Sequence, residues 1–415
     1  MREMKDSGIE WIGDIPVSWK IMPNKYLMRK EKKICPVYHG EDILSLTMKG
    51  VIVRDLDAGG KMPTSFDGYQ RLEVGNLLMC LFDIDVTPRC VGLIKQAGVS
   101  SPAYSQFVLR KGADAAYYCY YYTMLDNDKT LLHLAKNLRH SLTEDQLGAI
   151  PVIVPPIEEQ QRIADFLDTK CAEIDALTAD IQTQIDTLEQ YKRSVINETV
   201  TKGLDPDAEM KDSGIEWIGQ MPSSWSIVPN KYLMYKIKSV CPVYNGENIL
   251  SLTTNGVIIR DLNGGGKMPT SFDGYQKVVP GNLLMCLFDI DVTPRCIGLI
   301  KNFGLTSPAY SQFVMKDGAY APYYHYYYLM VDYTKELLHM AKNLRHSLTE
   351  DQLGAIKAPK PPYDEQIQIA EYLDNKCSKI GRTIADKNNQ LAILEEYKKS
   401  LIFEYVTGKK EVPTS

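Results

Sequence analysis

The chain has 415 residues, of which 44% are hydrophobic and 24% charged, and its formal net charge is −5 at pH 7. This composition excludes a disordered chain and provides apolar residues for more than one core. The apolar runs are shorter than the roughly 18 residues that span a bilayer, and the start "MREMKDSG" is too polar for a signal peptide, so we expect a cytoplasmic protein.

The sequence repeats itself at a constant offset of 206 residues (210 − 4). Three blocks illustrate the repeat: "MKDSGIEWIG" at 4–13 and 210–219, "MCLFDIDVTPRC" at 79–90 and 285–296, and "AKNLRHSLTEDQLGAI" at 135–150 and 341–356. Because solenoid repeats have periods of about 20–50 residues, this offset indicates two copies of a whole folding unit. We therefore expect two equivalent sites in one chain.

The first part of each copy predicts a mixed α/β globule. Apolar and β-branched runs separated by Gly and Pro predict short strands at "EDILSLTMKGVIVRD", "NLLMCLFDIDV" and "AIPVIVPP". A short helix follows at "SLTEDQLG", where Ser141 and Glu144 have the spacing of a capping box and Gly148 can end the helix. At the start of each copy, we interpret Trp11 with Ile12, and Trp217 with Ile218, as apolar anchors.

The second part of each copy predicts a long helix. Residues 158–202 contain neither Gly nor Pro, which allows a helix of roughly 67 Å. Apolar side chains follow a 3-4 heptad spacing at Ile174, Leu177, Ile181, Leu188, Tyr191 and Val195, and again at Ile380, Ile384, Leu391, Leu394, Tyr397 and Leu401. Gln184 and Lys387 are polar exceptions. We expect the two helices, which end at Gly203 and Gly408, to pack on each other; an outward-facing dimerisation helix is the alternative.

Catalytic and metal-binding patterns are weak. Asp83 and Asp85, with their repeats, could face one metal, but a strand that ends in a turn explains them better. The glycine-rich "AGGKMPT" lacks the spacing of a phosphate-binding loop. The nine cysteines include no C-x-x-C pair, which favours reduced thiols in cores. We therefore predict no catalytic residues, no metal site and no cofactor bound by this chain.

Two segments in each copy suit DNA binding. The loop "DAGGKMPTSFDGYQR" combines glycines with basic and hydroxyl side chains, which suit contacts to phosphates and base edges, although a solvated hairpin tip has the same composition. The segment "AKNLRHS" is basic and precedes a helix. The candidate DNA-binding residues are Lys61, Thr64, Ser65, Tyr69, Arg71, Lys136, Asn137, Arg139 and His140, with repeats Lys267, Thr270, Ser271, Tyr275, Lys277, Lys342, Asn343, Arg345 and His346.

Two further observations bear on DNA binding. The tyrosine clusters "YYCYYY" and "YYHYYY" could stack on bases, but we favour a helix or strand that buries its apolar side. The negative net charge argues against a general DNA-binding protein. However, residues 158–202 hold ten acidic and five basic side chains, so this helix accounts for the whole net charge and the remainder is close to neutral.

Several blocks together resemble the specificity subunit of type I restriction-modification enzymes. They are "SGIEWIGDIPVSW", "EVGNLLMCLFDIDVTPRCVG", "IPVIVPPIEEQQRIADFLD" and "YKRSVINETVTKGL", each repeated in the second copy. The most specific is the P-P-x-x-E-Q-x-x-I-A-x-[FY]-L-D junction. It is met at Pro155, Pro156, Glu159, Gln160, Ile163, Ala164, Leu167 and Asp168, and again at Pro361, Pro362, Glu365, Gln366, Ile369, Ala370, Leu373 and Asp374.

The resemblance implies a non-catalytic protein with two target recognition domains held apart by an antiparallel pair of long helices in a pseudo-two-fold arrangement. On this sequence it implies target recognition domain 1 at 1–157, a central helix at 158–203, target recognition domain 2 at 204–363, a C-terminal helix at 364–410 and a tail at 411–415. Each recognition domain would read one half of a bipartite site on double-stranded DNA, and the helix length would set the spacer.

The implied partners are two methyltransferase subunits, which bind S-adenosylmethionine, and two restriction subunits, which use ATP and Mg. Members of the family usually have two different recognition domains, whereas here they are nearly the same. We therefore predict a target that is palindromic or nearly so. A scaffold that does not bind DNA and presents two identical protein-binding globules is the alternative. The substitutions that could cause unequal reading are Met48-Lys49 against Thr254-Asn255, Arg71-Leu72-Glu73 against Lys277-Val278-Val279, and Gln96-Ala97 against Asn302-Phe303.

Overall fold

The computed structural model describes residues 2–57, 63–87, 89–135, 140–264, 269–293, 295–341 and 346–413. The chain divides into two compact units. The first unit comprises residues 1–181 and 388–415, and the second comprises residues 182–387. No helix in the described ranges is both long and apolar enough to cross a membrane.

The first unit contains a mixed α/β domain built from antiparallel strands. The strands are β1 (Met4–Asp6), β2 (Asp14–Pro16), β3 (Lys20–Pro23), β4 (Met28–Glu31), β5 (Leu44–Thr47), β6 (Gly50–Val53), β7 (Gln70–Leu72), β8 (Leu77–Met79), β9 (Val91–Leu93), β10 (Gly98–Ser100), β11 (Ser105–Leu109) and β12 (Pro151–Val154). The helices are α1 (Ala115–Asn127), α2 (Thr130–Leu134), α3 (Glu144–Ala149) and α4 (Ile157–Lys202), which continues into the second unit. The main sheet has the order β4-β11-β8-β9, and β1-β2, β3-β12, β5-β6 and β7-β10 form pairs.

The second unit repeats this architecture. Its strands are β13 (Met210–Asp212), β14 (Gln220–Pro222), β15 (Ser226–Pro229), β16 (Met234–Ile237), β17 (Leu250–Thr253), β18 (Gly256–Ile259), β19 (Gln276–Val278), β20 (Leu283–Met285), β21 (Ile297–Leu299), β22 (Gly304–Thr306), β23 (Ser311–Met315) and β24 (Lys357–Lys360). Its helices are α5 (Ala321–Tyr333), α6 (Glu336–Met340), α7 (Glu350–Ala355) and α8 (Tyr363–Val406), which continues into the first unit. The sheet order β16-β23-β20-β21 matches the first unit, so the predicted mixed α/β class is confirmed.

The tyrosine clusters form the core of each α/β domain. In α1, Tyr117, Tyr118, Tyr121 and Tyr122 are fully buried. Three of their hydroxyls donate hydrogen bonds: Tyr117 to the carbonyl oxygen of Val406 (2.8 Å), Tyr118 to that of Ile153 (3.0 Å) and Tyr122 to Oδ1 of Asn24 (2.6 Å). Because these rings have no access to solvent, the favoured reading of a buried helix is confirmed and base stacking by these four rings is excluded.

The two tyrosine helices differ at one position that changes their response to acid. His325 of α5 stands where α1 has Cys119. Its Nδ1 atom is buried and has no hydrogen-bond partner among the described residues. Burial lowers the pKa of His325 from 6.5 to about 3, and the positive charges of Arg295 and Lys301 add to the effect.

We predict that the second unit loses stability on mild acidification and that His325→Cys abolishes this loss. The folded state keeps the imidazole neutral whereas the unfolded state binds a proton below pH 6.5. The contribution is therefore complete above pH 6.5 and decreases toward pH 3, by at most about 1.4 kcal/mol per pH unit. Thermal unfolding of wild type and His325→Cys between pH 7 and pH 4.5 measures the difference, and Cys119→His is the matched variant in the first unit. An equal response of wild type and His325→Cys to pH would contradict the prediction.

The long helices are confirmed, and within each unit their segments pair antiparallel. In the first unit, the rings of Phe166 and Tyr405 lie 4.5 Å apart between centroids, and Asp175 lies 2.5 Å from Nζ of Lys398. In the second unit, Lys387 donates a hydrogen bond to Gln184. Since the residue numbers increase on one helix as they decrease on the other, the two helices run in opposite directions. The two polar exceptions of the heptad pattern are therefore partners of each other.

The predicted seam is half right. Ile174, Ile181 and Val195 are buried as expected, but Leu177 and Tyr191 are 47% and 46% exposed. At these positions the seam passes instead through the residue that follows the predicted one. Ile185, which follows the predicted Gln184, is 4% exposed. In α8 the same shift leaves Tyr397 54% exposed and half-buries Lys398. The pattern had selected the more apolar neighbour, whereas packing follows the 3-4 spacing of the positions that face the partner helix.

Two local predictions are wrong. The capping box of α3 uses Thr143 and Gln146 rather than Ser141 and Glu144, and Gly148 lies inside the helix instead of ending it. The strand predicted at "NLLMCLFDIDV" is shorter, because β8 ends at Met79. The residues that follow form a loop and turn. By contrast, Ile12 and Ile218 are buried and Trp11 and Trp217 pack against the cores, so these anchors are confirmed.

The junction motif fastens each α/β domain to its long helix. Gln160 is fully buried and satisfies three backbone groups. Its Nε2 donates to the carbonyl oxygens of Gly112 (3.1 Å) and Pro155 (2.8 Å), and its Oε1 accepts from the amide of Asp114 (2.8 Å). Gln366 makes the equivalent three bonds in the second unit.

The glutamate of the motif holds a buried tryptophan. Nε1 of Trp19 donates to Glu159 (2.9 Å), and Nε1 of Trp225 donates to Glu365 (2.8 Å). In the first unit Arg2 also contacts Glu159, with Nη2 at 2.9 Å from Oε2. The most specific motif is thus structural at its glutamate and glutamine, whose side chains join the helix to the domain.

Each long helix ends against the α/β domain of the other repeat. Helix α8 is followed by Gly408, which has a φ of +73° and where a Cβ atom would lie 2.7 Å from the Trp19 ring. Gly203 follows α4 with a φ of +77°, and a Cβ there would lie 2.8 Å from Oε1 of Glu365. A side chain is excluded at both positions by the left-handed backbone and by the close approach. The predicted helix ends at Gly203 and Gly408 are confirmed.

Candidate nucleic-acid interface

The structure describes about half of the predicted DNA-binding residues. Those that lie outside the described residues are Lys61, Lys136, Asn137, Arg139, Lys267, Lys342, Asn343 and Arg345. The others belong to two places in each unit, which are a loop that leads into β7 (or β19) and the backbone at His140 (or His346).

The described part of the first loop is an ordered turn. Thr64 and Ser65 are exposed, and Oγ of Ser65 accepts a hydrogen bond from the amide of Asp67 (3.0 Å). Tyr69 is half-buried and packs edge-on against Phe66, with 5.3 Å between the ring centroids. In the second unit Thr270 and Ser271 are also exposed, Ser271 makes the same bond to Asp273 (3.0 Å), and Tyr275 packs on Phe272 at 5.3 Å. The side chain of Thr64 is thus exposed to solvent, whereas the side chains of Ser65 and Tyr69 also stabilise the turn.

Arg71 extends into solvent from β7. Its Nη2 lies 3.4 Å from Oε1 of Glu41, and its side chain is 55% exposed. Lys277 occupies the same position on β19 and is exposed. A pair this exposed contributes little to stability, so Arg71 remains available for a ligand that carries stronger negative charge.

His140 contacts the turn at residues 83–87, and the sequence did not predict this contact. Its Nδ1 lies 3.0 Å from Oδ2 of Asp85, and its carbonyl oxygen accepts from the amide of Ile84 (3.1 Å). The hydrogen bond from His140 lowers the pKa of Asp85. His346 and Asp291 repeat the contact at 3.0 Å. The histidine of the basic segment and the second aspartate of "FDIDVTP", far apart in sequence, are thus brought together in both units.

The turn and the contacting His140 contain backbone in the left-handed conformation, which residues other than glycine rarely adopt. Asp83 and His140 have φ of 46° and 44°, and their repeats Asp289 and His346 have 48° and 43°. Strain of this kind is often found at functional sites because the surrounding contacts must impose it. The carbonyl oxygen of Asp83 accepts the amide (2.9 Å) and the hydroxyl (2.8 Å) of Thr87, which confirms the turn interpretation of this acidic pair. Within the described ranges, no group of three or more His, Cys, Asp or Glu side chains is placed to hold a metal ion.

A stacked aromatic pair lies beside this turn, and the sequence did not predict it. Phe82, which precedes Asp83, stacks on Tyr104 with 6.3 Å between centroids and 23° between ring planes. Phe288 and Tyr310 stack likewise at 6.5 Å and 25°. Tyr104 lies in the block "SPAYSQF", which is one of the exact repeats, but a single tyrosine in a loop gave no local signal of its role.

The protein's fold is that of a known chain. A chain from structural work on complex assembly and conformational transition of the type I R-M system superposes with a TM-score of 0.70 at 13% identity, covering 95% of this chain and 99% of that chain. The family model of the type I restriction modification DNA specificity domain matches residues 91–187. Residues 91–187 thus match the DNA specificity domain, and the chain is similar to specificity subunits of type I restriction-modification enzymes.

Two relatives from one organism match about two thirds of the chain. The chain is 26% identical over 284 residues to the type I restriction enzyme MjaVIII specificity subunit of Methanocaldococcus jannaschii, with 63% of each chain covered. It is 25% identical over 292 residues to the putative MjaX specificity subunit of the same organism, covering 66% of this chain and 62% of that relative. The aligned part thus spans less than two thirds of either relative.

Proposed function

We propose that this chain is the non-catalytic DNA-reading component of a type I restriction-modification complex. Each recognition domain would read one half of a bipartite site on double-stranded DNA. The observation that carries the proposal is the duplicated turn, in which His140 and Asp85 in one domain and His346 and Asp291 in the other have the same contacts and the same strained backbone. Two equal binding surfaces favour two equal half-sites.

The loop residues named from the sequence are the proposed DNA contacts. Thr64, Arg71 and their repeats Thr270 and Lys277 are exposed, as this role requires. In this proposal the recognition loops face the DNA. The basic residues outside the described ranges, Arg139 and Arg345 among them, are therefore assigned to phosphate contacts.

The helices are proposed to set the spacer and to bind the partner subunits. Two methyltransferase subunits would supply S-adenosylmethionine, and two restriction subunits would use ATP and Mg. The acidic surface of residues 158–202, which carry ten acidic and five basic side chains, supports a protein partner on the helix rather than DNA.

Methylome sequencing tests the proposal. A host that expresses this chain with its methyltransferase subunit should gain one methylated bipartite motif, and the two halves should be the same sequence on opposite strands. The same host without this chain is the control. A motif with two unrelated halves would exclude the near-palindrome, and a methylome that is unchanged by the chain would exclude DNA reading altogether.

A further inference from the structure

Two aromatic rings stack in each recognition domain, and an arginine and a second tyrosine lie close enough to act electrostatically on one of them. We call this set the Arg54 cluster; it consists of Arg54, Tyr69, Phe82 and Tyr104 in the first unit and of Arg260, Tyr275, Phe288 and Tyr310 in the second. Burial raises the pKa of Tyr104, the positive charge of Arg54 opposes the rise, and Tyr69 adds to it. Tyr310 has the same relation to Arg260 and Tyr275, so the cluster is the same in both units.

The backbone around Tyr104 is held in place. Gln70 is 1% exposed, and its Nε2 donates to the carbonyl oxygens of Ser101 (2.8 Å) and Tyr104 (2.8 Å). Gln70 follows Tyr69 directly, so one buried amide positions both tyrosines. The repeat Gln276 makes the same two bonds, at 2.9 Å and 2.6 Å.

The opposite side of the cluster is held by the strained turn. Phe82 is followed by Asp83, whose left-handed backbone is fixed by Thr87. The hydroxyl of Thr87 also lies 3.6 Å from Sγ of the buried Cys80. The Phe82 ring is therefore presented to Tyr104 by a rigid loop, which limits the loss of side-chain entropy when a ligand binds.

The members of the Arg54 cluster are half-buried in both units, with part of each side chain in solvent. Arg54 follows β6 and Tyr69 precedes β7, so the two flank the glycine-rich loop in sequence, and Phe82 adjoins the turn of His140. The cluster thus adjoins the described ends of both candidate DNA-binding segments. Guanidinium and phenol groups both donate hydrogen bonds that suit phosphate oxygens and the acceptor groups of base edges.

We infer that Arg54 and Tyr104, with Arg260 and Tyr310, contact the DNA half-sites directly, and that Phe82, Tyr69 and their repeats position them. This inference rests on the proposed function and specifies which residues carry it out. It adds residues that the basic and glycine-rich motifs did not indicate, and it places the centre of each reading surface at the turn rather than at the loop tip.

DNA binding by the full chain with its methyltransferase subunit tests the inference. The variants are Arg54→Ala, Arg260→Ala, Tyr104→Phe and Tyr310→Phe, and the probes are a duplex with the methylated motif and duplexes with one half-site scrambled. Each arginine variant is expected to weaken binding to the motif about tenfold. Arg54→Ala should leave one half-site read normally and Arg260→Ala the other. Tyr104→Phe keeps the ring and its stacking, so a loss of binding with unchanged thermal unfolding identifies a contact by the hydroxyl.

An exposed pair of a basic and an aromatic residue elsewhere in the first unit, Lys25 and Tyr26, provides the matched control. Tyr26 is 60% exposed and lies 5.3 Å from Nζ of Lys25, outside the Arg54 cluster. The double variant Lys25→Ala/Tyr26→Ala should bind within twofold of wild type. Wild-type affinity of Arg54→Ala and Arg260→Ala, or an equal loss in the control, would overturn the inference while leaving the proposed function intact. Failure of the wild-type complex to bind any host DNA would instead overturn the proposed function.

Discussion

Replacing Gln160 with Leu is expected to lower the free energy of unfolding of the first unit by about 3 kcal/mol or more. The leucine removes the partners of two carbonyl oxygens and one amide that are held by this buried side chain. Each buried group left without a partner costs about 1–3 kcal/mol. For a unit of this size the loss corresponds to a decrease in melting temperature of roughly 6–12 °C.

Differential scanning calorimetry of the full chain measures this effect. Gln161→Leu is the control, since Gln161 is the neighbouring residue and is exposed, and its unfolding should shift by no more than about 0.5 kcal/mol. Gln366→Leu should produce the same loss in the second unit. Equal melting temperatures for Gln160→Leu and Gln161→Leu would show that the three hydrogen bonds do not fasten the helix.

Trp19→Ala is expected to destabilise the first unit by about 3–5 kcal/mol, the range for removal of a large buried aromatic side chain. Trp19 is fully buried, packs against Gly408 and donates to Glu159. The substitution therefore loosens the recognition domain, its own helix and the end of α8 together. Trp225→Ala should act in the same way on the second unit.

Urea unfolding with Trp19→Phe separates the contributions. Phenylalanine retains most of the apolar surface but cannot donate to Glu159, so its loss should be smaller than that of alanine. If Trp19→Phe and Trp19→Ala were equally unstable, the hydrogen bond to Glu159 rather than the packing would dominate.

The sequence predicted long-range organisation better than local detail. Constant offset, absence of Gly and Pro, and heptad spacing gave the duplication and both long helices, because each of these signals extends over many residues. The cap of α3 shows the opposite case. "SLTEDQ" contains two pairs at capping-box spacing, Ser141 with Glu144 and Thr143 with Gln146, and local chemistry cannot choose between them. The amide of Leu142 donates to the carbonyl oxygen of Leu81, which keeps the preceding backbone out of the helix and selects the second pair.

The candidate interface was predictable in part for the same reason. Thr64 and Arg71 carry polar groups in a turn-rich loop, and that composition correctly placed them at the surface. The contact of His140 with Asp85 and the stacking of Phe82 on Tyr104 depend on tertiary packing. Neither pair has a local spacing that would identify it, so these contacts emerge only once the strands are arranged.

The division of the two long helices between the units has a consequence for shorter forms of the chain. The first unit needs residues 388–415 in addition to residues 1–181, and the core of the first unit includes Leu401 and Val406 of the other repeat. A fragment of one repeat would therefore expose the apolar surface that this segment covers. Two copies of such a fragment could cover each other by exchanging their helix ends, so a half-length chain is expected to fold as a homodimer and to remain unfolded or aggregated as a monomer.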